Sequence, residues 1–123
     1  MRKDNLKEYT LPQLIRRFEE IGTAQEVALD SENTKKFNRL YDEMEAVDLE
    51  IRSRGTESRR GLLALYDHPS VQVRLCAAQY TYGVAPQEAR AALKSIADSH
   101  MLPQAMNAAL SVRKIDDGTT ILD

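Results

Sequence analysis

From Leu11 onward, apolar residues recur at intervals of three and four. Leu11, Leu14, Phe18, Ile21 and Ala28 line up, with Arg16, Arg17, Glu19 and Glu20 facing away. This spacing predicts an amphipathic helix ending near Ser31, capped at Thr10 or a neighbour, with Pro12 in its first turn. Phe37, Leu40, Tyr41, Met44, Val47 and Ile51 form a second stripe, with Asn33 as its cap and Gly55 fitting a left-handed stop. Leu62, Leu63, Leu65 and Tyr66 predict a shorter helix over 56–66. Val71, Leu75, Ala78 and Tyr82, with Val73, Ala77 and Val84 beside them, predict another over 70–83 whose broad apolar arc implies burial on two sides. Pro86 opens a fifth helix with Ala89, Ala92, Leu93 and Ile96 inward. Pro103 opens a sixth that turns Met106, Ala109 and Leu110 to the core. Residues 115–123 lack periodicity and read as a mobile tail.

Every element is helical, so the predicted fold class is all-α, with about six helices. Composition divides the chain near residue 58. Residues 1–58 hold 3 alanines with 10 basic and 13 acidic residues, whereas 59–123 hold 11 alanines with 7 basic and 6 acidic. The reading is one domain with a shared core, made of a long-helix hairpin over 10–54, an Ala-rich block over 56–114 and the tail.

The second half repeats itself. An offset of 31 residues places Leu62 on Leu93, Leu65 on Ile96, Asp67 on Asp98, Leu75 on Met106, Ala77 on Ala108 and Ala78 on Ala109. Fixed-period similarity marks stacked helical units that bury their apolar faces against their neighbours. The order Leu62–Leu65, Asp67, Pro69, Val73, Arg74, Ala77, Ala78 resembles a HEAT repeat. The segments LIRRFEEIGTAQEVAL, KFNRLYDEMEAVDLEIRSRG, LLALYDHPSVQVRLCAAQY and VAPQEARAALKSIAD resemble a small bacterial family, the domain of unknown function numbered 2019. That resemblance implies stacked HEAT-like helical hairpins and no known activity. Within the repeat, Asp67 and Ser70 are expected to receive N–H groups at the next helix start. Pro69 sets the turn, Arg74 finds an acid or a carbonyl, and Ala77 and Ala78 let helices approach closely.

Net charge is −2, so no strong basic field favours nucleic acid, and no apolar run reaches the length of a membrane span. With Cys76 the one cysteine, a reducing cytoplasm is expected. No Gly-rich phosphate loop or nucleophile-and-base arrangement occurs, and no cofactor is implied. His68 and His100, with Asp67 and Asp98, form the one weak metal-ligating possibility, as in a metal-dependent lyase. The expectation is therefore a non-enzymatic cytoplasmic module that binds an unidentified protein through Glu43, Glu45, Asp48 and Tyr80. The alternatives are an immunity protein or antitoxin-like inhibitor, the lyase, and a homo-oligomer completed across the 70–84 helix.

Overall fold

Local caps set the helix limits. In the computed structural model, which describes residues 5–120 and 122–123, Thr10 Oγ1 accepts from Gln13 N at 3.3 Å while Gln13 Oε1 accepts from Thr10 N at 2.8 Å. This reciprocal box starts helix α1 (Leu11–Asp30), with Pro12 in the first turn. Asn33 Oδ1 accepts from Lys36 N at 3.1 Å and starts α2 (Thr34–Ser53). Between the two helices, Asn33 N donates to Ala28 O at 2.8 Å and Glu32 N to Leu29 O at 3.1 Å. These two bonds close a Schellman motif in which Glu32 takes the left-handed position, φ 54°, usually held by glycine.

Gly55, expected as a left-handed helix stop, instead has φ 102° and ψ 173° and stands as the N-cap of α3 (Thr56–Arg60). Side chains are essentially excluded from that region, so the position requires glycine. The helix expected over 56–66 is α-helical only in α3, and Gly61–Asp67 tightens into a 3-10 helix. Leu62 and Leu65, three apart, eclipse on one face of the tighter helix, and both are buried. Ser70 Oγ then accepts from Val73 N at 3.2 Å and caps α4 (Val71–Thr81). Helix α5 (Pro86–Ala97) starts on its proline, whereas Pro103 lies one residue ahead of α6 (Gln104–Asp116) as its N-cap. A second Schellman motif ends α6, with Gly118 at φ 72°, Thr119 N donating to Lys114 O and Gly118 N to Ile115 O. Among the described residues there are six α-helices, two 3-10 helices and no strand, so the fold is all-α.

The chain divides into two units between Gly61 and Leu62, close to the composition shift. In the first, α1 and α2 pack along each other, with Leu14, Phe18, Ile21 and Ala28 of α1 and Leu40, Met44, Val47 and Ile51 of α2 buried. Tyr41, placed by periodicity on the inward stripe, is half exposed. In the second, Val71, Leu75 and Ala78 of α4 form one core with Leu93 and Ile96 of α5 and Ala108 and Val112 of α6. Helix α4 is buried nearly all round, with Val73 and Ala77 fully enclosed as well. The tail expected to be mobile ends against this unit: the Asp123 main chain lies where a side chain at Gly83 would stand.

Candidate functional site

The acidic surface expected on α2 is largely neutralised within its own unit. Glu43 Oε1 accepts from Arg17 Nη2 at 2.6 Å, and its other oxygen lies 3.7 Å from Arg39. Glu50 accepts from Arg54 Nε at 3.0 Å. Glu45 is half-buried.

Asp48 is no docking residue, because it is 3% exposed. Its Oδ2 accepts from Arg52 Nε at 2.7 Å, while Oδ1 is buried with no hydrogen-bond partner. Burial pushes the Asp48 carboxyl up from its ordinary value, against the pull of Arg52 and, more weakly, Arg59. The sequence pattern missed this because the spacing of Val47, Asp48 and Ile51 carries Asp48 onto the edge of the buried face. Tyr80, expected to be the most exposed of its cluster, is half-buried like Tyr66 and Tyr82. Tyr66 Oη pairs with Thr81 Oγ1 at 2.5 Å.

Ala77 and Ala78 are fully buried on α4. The helix cap falls to Ser70, while His68 Nδ1 accepts from Ser70 N at 3.0 Å. Arg74 Nη1 donates to the His68 carbonyl at 2.9 Å, and its other nitrogen reaches Met101 Sδ at 4.0 Å. Arg74 thus binds a carbonyl of the turn preceding its own helix, and Asp67 and Pro69 stay exposed in that turn. His100 is exposed in the turn before α6, at φ 63°. Among the described residues no three His, Cys, Asp or Glu side chains are grouped to hold a metal ion. Cys76 is buried, its thiol pushed up to about 12 by desolvation, with Gln72 Nε2 3.5 Å away.

On α6 the inward face differs from expectation. Gln104, Ala105, Ala108 and Val112 are buried, whereas Met106 is 68% exposed and Leu110 48%. Two physical reasons select this face. Ala105 and Ala108 let α6 pack closely on α5, and Gln104 Nε2 donates to Gln72 Oε1 at 3.0 Å, so the pair satisfies two amides that α4 and α6 bury together. Gln79 on α4 adds bonds to Asn107 Oδ1 at 3.0 Å and Ser111 Oγ at 3.3 Å.

With that face inward, Met106, Ala109 and Leu110 share the outward side of α6, and Met101 and Leu102 (65% exposed) are exposed in the turn ahead of it. Arg113 and Lys114 are exposed at its far end. Such a contiguous apolar stripe bordered by polar residues has the make-up of a docking surface, and methionine lets it adapt to an occupant's shape.

A family model described as Domain of unknown function (DUF2019) matches residues 12–116. Among solved structures, the chain is similar to the protein RPA1889 from Rhodopseudomonas palustris CGA009. The two share 36% sequence identity over 96% of this chain and 98% of that one, with a TM-score of 0.92. No curated protein matches.

Proposed function

The chain belongs to the DUF2019 family, and we propose that it is a non-enzymatic, cytoplasmic bacterial module that binds another protein through the outward face of α6. The observation that carries this reading is the exposed stripe of Leu102, Met106 and Leu110. The packing of α4, α5 and α6 around one core in the second unit supports it, because stacked helices offer extended ridges and shallow grooves suited to macromolecules. No helix among the described residues is long and apolar enough to cross a membrane. The inhibitor reading rests on an acidic α2, and its support is weak because Glu43, Asp48 and Glu50 already hold arginines of the same chain.

Affinity co-purification from the native cell tests the proposal, with wild type beside a Met106→Lys/Leu110→Lys variant whose circular dichroism is unchanged. The reading expects a stoichiometric protein on wild type alone. Equal retention by both forms, or none by either, rejects it.

A further inference from the structure

Resting on that reading, we infer what occupies the α6 face: an amphipathic helix of a different protein that lies on α6 as α5 lies on α4, presenting a Leu, Ile or Ala ridge. The argument comes from the internal repeat. The 31-residue offset equates Val71, Leu75 and Ala78 with Leu102, Met106 and Ala109. The first three are buried in the second unit's core, where α4 packs chiefly against α5 and so against Leu93 and Ile96. Of their counterparts, Met106 and Ala109 on α6 and Leu102 in the turn before it are exposed. The remaining correspondences match in burial, since Leu62 and Leu93, Leu65 and Ile96, and Ala77 and Ala108 are all buried. Helix α6 therefore has the inward face of a repeat helix, together with the apolar face on which the next helix of a stack would lie.

A second copy is a poor occupant. The α5 ridge of Ala89, Leu93 and Ile96 that fits such a face is already buried in each copy, so a folded second copy has no such ridge to present. The exposed stripe is narrow, running along a few turns of one helix, and a single amphipathic helix laid on it is the partner element that such a face suits. Charge adds to the description of the occupant: at the C-terminal end of the stripe Asp116 is bound by Arg90, so Arg113 and Lys114 face Asp117 alone and the helix carries a carboxylate there.

The probe is a synthetic peptide of this chain's own α5 with its flanks, residues 84–99, added to protein labelled with ¹³C at its methionine methyl groups. Met106 and Met101 report on the stripe, and Met44, buried in the first unit, is the internal control. The expected result is a saturable shift of Met106 with Met44 unmoved. The shift is lost for a Leu93→Glu/Ile96→Glu peptide and for Leu110→Lys protein. No Met106 shift at ~1 mM peptide overturns the inference, and so does a Met106 shift that grows with protein concentration alone, which would make a second copy the occupant. Failure with the peptide while co-purification still depends on Met106 and Leu110 would overturn the occupant and leave the docking face standing. Peptide binding without any co-purifying protein would overturn the functional reading instead.

Discussion

Leu75 and Met106 are equated by the internal repeat, yet one is 2% and the other 68% exposed, and truncating each to alanine measures what the uncovered face contributes. Removing a fully enclosed leucine side chain costs its transfer free energy plus that of the cavity it leaves, about 3–5 kcal/mol in a rigid core. Met106 keeps roughly a third of its surface covered. Scaling the ~1.5–3 kcal/mol for full burial by that third gives about 0.5–1 kcal/mol. Alanine's higher helix propensity returns a few tenths of a kcal/mol, so Met106→Ala should cost under about 1 kcal/mol. Urea unfolding followed by circular dichroism reads both variants, with the m-value monitored for loss of two-state behaviour. Equal costs at the two positions would refute the reasoning, because they would mean that Met106 is as enclosed in solution as Leu75. A Met106→Ala cost that grows with protein concentration would refute it as well, since it would place a second copy over the stripe.

Three further outcomes follow. Glu32→Gly should stabilise the protein and Gly118→Ala destabilise it, each by about 1 kcal/mol in thermal or urea melts, because both positions hold left-handed backbone at the end of a Schellman motif; the same sign for both would contradict the motif assignment. The folded-state pKa of Asp48 is raised, so its contribution to stability is greatest below the ordinary aspartate value of 3.8 and is lost as pH rises through the folded value. Wild type should therefore lose stability relative to Asp48→Asn as pH rises above the ordinary aspartate value, and an opposite slope would show that Arg52 and Arg59 outweigh burial. Cys76, enclosed with its thiol pushed up to about 12, should resist alkylation in the native protein and react on unfolding in urea; rapid native labelling would place it near solvent.

Helix limits were legible in the sequence because their causes are local. Thr10 with Gln13, Asn33 and Ser70 are caps that act within three residues, and the change from acidic to Ala-rich composition near residue 58 lies close to the division at Gly61. Inward faces were less legible where a helix offers two apolar choices. On α6 the larger residues Met106 and Leu110 compete with the smaller Ala105, Ala108 and Val112. The choice was made by close packing on α5 and by an amide on α4 that pairs with Gln104, neither of which periodicity encodes. The pairing of the α2 carboxylates was hidden for a related reason. Charge spacing displays the carboxylates of α2, but the arginines that hold Glu43, from α1 and α2, are recognised as partners only once the hairpin has formed. Glu32 in a position that favours glycine gave no signal at all, since the turn is imposed by the packing of the two helices it joins.

The claim that the outward face of α6 is the docking surface is tested most directly by a photo-crosslinking amino acid placed at Leu110, or at the exposed Asp42 of α2, and activated in the living native cell. The account predicts a discrete adduct of this chain with a different protein from position 110 and none from position 42. An adduct from position 42 with none from position 110 would return the interface to the acidic helix and contradict it.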